Sequence, residues 1–212
     1  MNLLQRKSLN GWPLYYLVAV FTFAAIGVGL LITGISTPEA TVSMIRLSVQ
    51  LASPWIFLAF VARPLAQLYP GNLSKWLLRN RRYMGLCFAA GFAWQAVFIA
   101  VLLALYPDYY WQVLHNTTDL VLRMLSYLLL LALTITSFYP VRRAMQPHSW
   151  RMLHLAGIWY FWAAIWVSYT EGLLNGDTRI IAIFYVIAGL AVLTARLAAY
   201  LTNRSVPQAR VS

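Results

Sequence analysis

The sequence predicts an all-α integral membrane bundle of six transmembrane helices with both chain ends in the cytoplasm. Hydrophobic residues make up 61% of the 212 residues and charged residues only 10%, which is outside the range of soluble globular domains. A chain of this composition is expected to be solvated by lipid. The lipid bilayer is therefore its first expected partner, and the few charges indicate how the chain crosses it.

Six apolar segments are each long enough to cross a bilayer as a helix, which takes about 20 mostly apolar residues. The predicted spans are residues 13–34, 43–64, 84–106, 120–139, 151–170 and 180–201. They divide the chain into a cytoplasmic N-terminus (1–12), a transmembrane domain (13–201) and a cytoplasmic tail (202–212). The second span is bounded closely by charges, so it requires Arg46 and Arg63 to extend to the two membrane interfaces.

The predicted orientation follows from the basic residues, which favour cytoplasmic loops. Most of the 16 lysines and arginines lie before the first span, between the second and third, between the fourth and fifth, or after the sixth. All five acidic residues fall in the alternate loops: Glu39, Asp108, Asp119, Glu171 and Asp177. Both termini are thus predicted to be cytoplasmic. The net charge of +11 is interpreted as a topology signal, and no nucleic-acid partner is expected.

Any chemistry must come from the spans, because no extramembrane segment is long enough to fold as a catalytic domain and no G-x-G-x-x-G pattern is present. Polar groups at membrane depth are expected to hydrogen-bond between helices. Histidine matters most, since helical bundles hold haem between imidazoles on facing helices. His115 and His148 fall in predicted loops, and only His154 lies in a span. These three residues offer no bis-histidine haem site.

Two stretches resemble the ferric-reductase-like transmembrane domain, namely RNRRYMGLCFAAGFAWQAVFIA (80–101) and LLLLALTITSFYPVRRAMQPHSWRMLHLAGIWYFWAAIW (128–166). The shared features are R-R-x-x-G-L opening the third span, small residues with Thr and Ser ending the fourth, and W-x-x-L-H opening the fifth. The resemblance covers about residues 40–200. It is closest to the haem-binding membrane subunit of the bacterial protein-methionine-sulfoxide reductase system (MsrQ/YedZ type), which implies a subunit of electron transport in a bacterial inner membrane.

That resemblance implies haem histidines at the positions occupied here by Gln95, His154 and Val167, of which one is histidine. Helical rise places Gln95 roughly 18 Å into the third span and Val167 roughly 20 Å beyond His154. These two positions would then face each other, so both halves of one haem site are missing together. No cofactor is therefore expected. The alternatives are haem b with His154 as a single ligand, or a quinone or other apolar ligand, while His154 otherwise hydrogen-bonds at the cytoplasmic interface.

The fifth predicted span carries a stripe of large aromatic residues at helical spacing: Trp159, Trp162, Trp166 and Tyr169. It is about 15 Å long at the rise of an α-helix. One interpretation is a lipid-facing or bundle-packing surface. The other is a wall against a flat apolar ligand or a partner subunit, and we expect the stripe to act as this contact surface.

Two functions follow from these observations. In the first, the chain is a haem-poor or haem-free relative of the ferric-reductase-like type and acts as a structural, assembly or lipophile-binding subunit of a membrane complex, with a membrane or periplasmic protein partner. The alternative is a haem b-containing redox subunit that passes electrons from quinol or a flavin protein to a periplasmic reductase. The missing ligands favour the first, and the sequence leaves open whether the chain is an enzyme.

Overall fold

Helices account for all the regular secondary structure in the described part of the chain, which in this computed structural model is residue 4, residues 6–114 and residues 117–205. Side chains are not described for residues 113–119 and 203–205. A 3-10 turn at Lys7–Leu9 comes first. The α-helices are α1 (Trp12–Thr33), α2 (Pro38–Leu68), α3 (Asn72–Leu105), α4 (Pro107–Tyr109), α5 (Thr117–Ser137), α6 (Tyr139–Ala144), α7 (Pro147–Leu174) and α8 (Ile180–Ser205).

Five of the described helical segments are long and apolar enough to cross a membrane: Trp12–Thr33, Pro38–Leu68, Asn72–Leu105, Leu120–Ser137 and Ile180–Thr202. An all-α membrane bundle is therefore confirmed. The fifth predicted span lies in α7, which has 28 residues but is not among these five segments. Its many tryptophans and tyrosines explain this difference, because hydropathy scales rank both side chains well below leucine or isoleucine.

The observed helices are longer than the predicted spans where polar residues continue them. Helix α2 has 31 residues, and it starts early because the Thr37 hydroxyl accepts a hydrogen bond from the amide of Ala40 at 3.1 Å, an N-terminal cap. Helix α3 starts 12 residues before the predicted third span (72 against 84). Arginine favours helix, so the basic segment around Arg81 continues the helix beyond its apolar part.

The core of the bundle lies around α2, which packs against α1, α3, α7 and α8. The side chain of Phe60 is fully buried there, and small residues allow close helix contact. A Cβ on Gly91 of α3 would lie only 2.6 Å from the Cβ of Ala52 on α2. By contrast, α1 exposes large apolar side chains such as Leu31 (88%) and Ile32 (81%), as expected for a surface that faces lipid.

Several polar side chains connect helices, as the sequence predicted. The Tyr127 hydroxyl donates to Gln95 Oε1 at 3.1 Å, and the Tyr185 hydroxyl donates to the backbone oxygen of Gln50 at 2.7 Å. Asn80 of α3 is fully buried. It accepts a hydrogen bond from the backbone amide of Gly11 at 2.9 Å, which attaches the start of α1 to α3.

Candidate functional site

Five arginines from four segments line one cavity of about 530 Å³ between α2, α3, α5 and α7. We call it the arginine cavity. The basic residues that line it are Arg63, Arg81, Arg82, Arg142 and Arg151, together with His154. Apolar side chains line the rest of it, among them Ile56, Phe88, Leu130, Ile158 and Phe161. The cavity therefore combines a strongly basic region with an apolar region.

No carboxylate lines this cavity among the described residues. The ion pair found in the described part of the chain joins Asp177 and Arg179, which lie between α7 and α8. The cavity instead lies where α2 and α5 end and where α3 and α7 begin. Five guanidinium groups, with no carboxylate among the described residues that line the cavity, create a strong positive potential, so the cavity attracts anions.

Arg81 and Arg82 are half-buried at the start of the apolar part of α3. Arg81 Nε donates to the backbone oxygen of Ala59 on α2 at 3.0 Å. The Arg82 guanidinium lies 5.8 Å from the ring centroid of Trp12 and 5.5 Å from that of Tyr83. Its Nε is buried, and no hydrogen-bond partner for it is found among the described residues. An unpaired buried N–H is costly, and the same residue lines the arginine cavity.

The opposite wall of the cavity is fixed by contacts between the end of α5 and the start of α7. Trp150 Nε1 donates to the backbone oxygen of Thr136 at 3.0 Å. The Thr136 hydroxyl is hydrogen-bonded to His154 Nε2 at 3.1 Å. The Arg142 guanidinium lies over the Trp150 ring at 4.4 Å, a cation–π contact. These contacts hold Arg142 and His154 at the cavity edge.

The position of His154 agrees with hydrogen bonding near the start of its helix. Its Nε2 is engaged by Thr136, and the Trp150 ring lies 4.4 Å from its own ring, centroid to centroid. Iron ligation through Nε2 would break the bond to Thr136. His154 thus lines the arginine cavity with its ring held by two neighbours. His115 lies outside the described residues.

The other two positions matched to the haem family do not form a haem site in this structure. Val167 is 43% exposed, so much of its side chain lies at the surface of the bundle. The Gln95 amide is hydrogen-bonded to Tyr127 of α5. The facing arrangement of Gln95 and Val167 stays a prediction. A bis-imidazole haem at these positions does not fit the residues present.

The aromatic stripe on α7 packs largely against other helices of the same chain. Trp162 is buried and donates to the backbone oxygen of Gly189 on α8 at 3.2 Å. Trp166 donates to the backbone oxygen of Val186 at 3.1 Å, and Tyr169 stacks on Tyr185 with centroids 4.6 Å apart. Helix α8 therefore packs against these rings, and contact of the stripe with a separate partner or ligand stays a prediction.

Trp159 is the exception at the end of the stripe, with 36% of its surface exposed. Its ring contacts Phe60 of α2 at 4.9 Å between centroids, and the Arg196 guanidinium lies 4.7 Å from the ring centroid. Large rings fill the spaces between helices and also provide N–H donors. The bundle-packing interpretation therefore accounts for most of the stripe.

A second, apolar cavity of about 370 Å³ lies between α1, α3 and α5. We call it the alanine cavity, after Ala89, Ala90 and Ala93 of α3, which line one side of it. No charged side chain lines it among the described residues. It shares three lining residues with the arginine cavity: Leu86, Leu130 and Thr134. The two cavities are therefore adjacent along α3 and α5.

The sequence interpretation missed the arginine cavity, although it identified the arginines that line it as basic loop residues. What it lacked was the lateral arrangement of the helices, which brings α2, α3, α5 and α7 around one space.

Comparison of the chain with family models, curated proteins and solved structures finds no match. The site must therefore be interpreted from its own chemistry.

Proposed function

We propose that this protein binds an amphiphile with an anionic headgroup in the arginine cavity, within a six-span bundle of a bacterial inner membrane. The observation that supports this proposal most directly is the set of five arginines around one cavity with no described carboxylate among them. The apolar lining supplies a surface for the hydrophobic part of the ligand. This is the lipophile-binding role expected for a relative without a bis-histidine haem.

The six-span topology rests on α7 crossing together with the five apolar segments. Its 28 residues extend about 42 Å at the α-helical rise, which exceeds the roughly 30 Å hydrocarbon core. Its tryptophans suit a helix packed inside a membrane bundle, where indole N–H groups find carbonyl partners. With six spans, the end of α2, the start of α3, the short helix α6 and the start of α7 share one side. The five arginines of the cavity lie on these segments, and the positive-inside rule assigns that side to the cytoplasm.

The test is whether the purified protein retains an anionic amphiphile and whether Arg82 is required for this. Native mass spectrometry of the protein in a mild detergent should show one bound anionic lipid or lipid-like molecule. Arg82→Gln should lose it, because the variant removes the charge and the unpaired Nε donor. Arg46→Gln is the matched control, since Arg46 lies on α2 near its other end and is exposed. Equal retention by both variants would reject the proposal.

The second candidate is a haem b-containing redox subunit, and His154 at the edge of the arginine cavity is the observation that favours it. Arginines beside a single imidazole would suit the two carboxylates of haem. The visible spectrum of the purified protein distinguishes the two functions, because b-type haem gives a Soret band with α and β bands on reduction. If His154→Ala abolishes such bands, the redox function replaces the first proposal.

A further inference from the structure

We propose that the ligand is a long-chain amphiphile whose headgroup lies among the arginines and whose hydrocarbon chain runs along α3 into the alanine cavity. This inference rests on the proposed function and specifies the ligand class of the same site. The two cavities share Leu86, Leu130 and Thr134 as lining residues, so they adjoin, and a chain that passes these side chains would reach both. A soluble anion would use only the arginine cavity.

The length of the path matches a membrane lipid. Arg82 and Ala93 are 11 positions apart on α3, which corresponds to about 16 Å of helix. Half of a roughly 30 Å hydrocarbon core is about 15 Å. A headgroup held at Arg82 would therefore place its chain at the depth of the neighbouring lipid leaflet, parallel to the chains of the bilayer.

The chemistry of the alanine cavity suits a hydrocarbon chain. Small side chains of α3 leave the space open, and the described residues around it carry no charge. The two polar groups from α5 are already used: the Tyr127 hydroxyl donates to Gln95, and the Thr134 hydroxyl donates to the backbone oxygen of Leu130 at 2.8 Å. The cavity therefore offers mainly dispersion and hydrophobic contacts.

Two side chains that line the alanine cavity are also exposed on the outside of the bundle. Leu131 lines it and is nevertheless 56% exposed, and Phe138 lines it and is 40% exposed. Both residues belong to the α5 segment and its following turn, at the outer surface of the bundle. Helix α3 packs against both α1 and α5, so entry and exit of the chain can take place sideways between α1 and α5, which would allow exchange with membrane lipids.

The shared headgroup chemistry is a phosphate or a carboxylate, because guanidinium groups bind both in a bidentate geometry. The experiment measures binding of phosphatidic acid, palmitate, phosphatidylcholine and inorganic phosphate to the delipidated full chain in detergent. We expect phosphatidic acid or palmitate to bind at least tenfold more tightly than phosphatidylcholine. Whichever of phosphatidic acid and palmitate binds more tightly identifies the headgroup as a phosphate or a carboxylate. If inorganic phosphate displaces the bound amphiphile as effectively as unlabelled amphiphile does, the proposed path of the hydrocarbon chain is wrong.

Ala90→Phe fills the alanine cavity without touching the arginines, and it should weaken amphiphile binding at least tenfold. Ala100→Phe is the control, because Ala100 lies on α3, is exposed and does not line either cavity. If Ala90→Phe binds as wild type does while Arg82→Gln does not, the chain path is wrong and the proposed function stands. If wild type does not prefer the anionic amphiphiles over phosphatidylcholine, the proposed function itself fails.

A measurement on the unmodified protein covers the case in which Ala90→Phe does not fold. Phosphatidic acid with a photoreactive diazirine midway along one chain should label peptides that contain Ala89–Ala93 and Leu130–Leu131. Labelling confined to the exposed face of α1, where Leu31 lies, would overturn the proposal because it indicates ordinary annular lipid.

Discussion

At the scale of single residues, Arg82 carries a buried Nε–H for which no partner is found among the described residues. A buried donor without a partner costs about 1–3 kcal/mol, and more when the group is charged. Aromatic contacts with Trp12 and Tyr83 offset only part of that cost. An anion in the arginine cavity would supply the missing negative charge.

Gly85 gives a direct test of whether that cavity is used. It lines the arginine cavity, and a Cβ added there meets no atom within 4 Å. Gly85→Leu should therefore fold and fill the space, lowering retention of the amphiphile at least fivefold in native mass spectrometry. Gly27→Leu is matched to it, since a Cβ at Gly27 also meets no atom within 4 Å and the residue is remote from the cavity. Equal losses in both variants would contradict this prediction.

The Asp177–Arg179 pair gives a pH prediction outside the membrane spans. A hydrogen bond from the Arg179 guanidinium lowers the pKa of the Asp177 carboxyl to about 2. A lowered folded-state pKa means that the contribution of the pair is complete above the unfolded carboxyl pKa and is lost as the pH falls towards 2. In Arg179→Gln the Asp177 pKa should return to its ordinary range in an NMR carboxyl titration. An ordinary Asp177 pKa in the wild type would contradict the pairing.

At the scale of elements, the sequence pattern of α7 predicts its aromatic stripe, but the role of the stripe depends on the helix that packs against it. Helical spacing correctly placed Trp162, Trp166 and Tyr169 on one face. It did not indicate which helix covers that face. Helix α8 covers it closely, because Gly189 leaves room for the Trp166 ring where a Cβ would overlap it. The glycine and the tryptophan are 23 positions apart, so no local pattern joins them.

Replacing both tryptophans of this contact should weaken the bundle rather than release a partner. Trp162→Leu with Trp166→Leu loses ring volume and two indole hydrogen bonds to α8. We expect a loss of about 2–4 kcal/mol in the free energy of unfolding, measured by titration with a denaturing detergent. Phe21→Leu is the control, because Phe21 is 63% exposed on α1. An unchanged double variant would show that α7 and α8 do not depend on these rings.

At the scale of the whole molecule, the six-span arrangement can be tested with reporter fusions. Fusions after Glu39, Asp108 and Asp177 should report the periplasm, and fusions after Lys75 and Gln146 should report the cytoplasm. The reason is the asymmetry of basic residues between alternate loops. A cytoplasmic signal after Asp177 together with a cytoplasmic signal after Gln146 would show that α7 does not cross the membrane.

Composition and charge were sufficient to predict the helical bundle and the centres of its helices, since apolar length and breaks in it are local properties. The predicted third span begins later in the sequence than α3 does, because the basic turns around Arg81 are helical although they are not apolar. The arginine cavity could not be predicted, since it depends on which helices are neighbours. Gln95 shows the same limit: its partner Tyr127 is 32 residues away on α5.

The ring contacts along α7 also have an optical consequence. The indoles of Trp159 and Trp162 are 5.7 Å apart and perpendicular, and those of Trp162 and Trp166 are 5.6 Å apart and nearly parallel at 10°. Chromophores this close share their electronic transitions, so the three indoles should give an exciton couplet in circular dichroism. Loss of the couplet on unfolding would report the loss of ordered ring packing along α7 without any attached label.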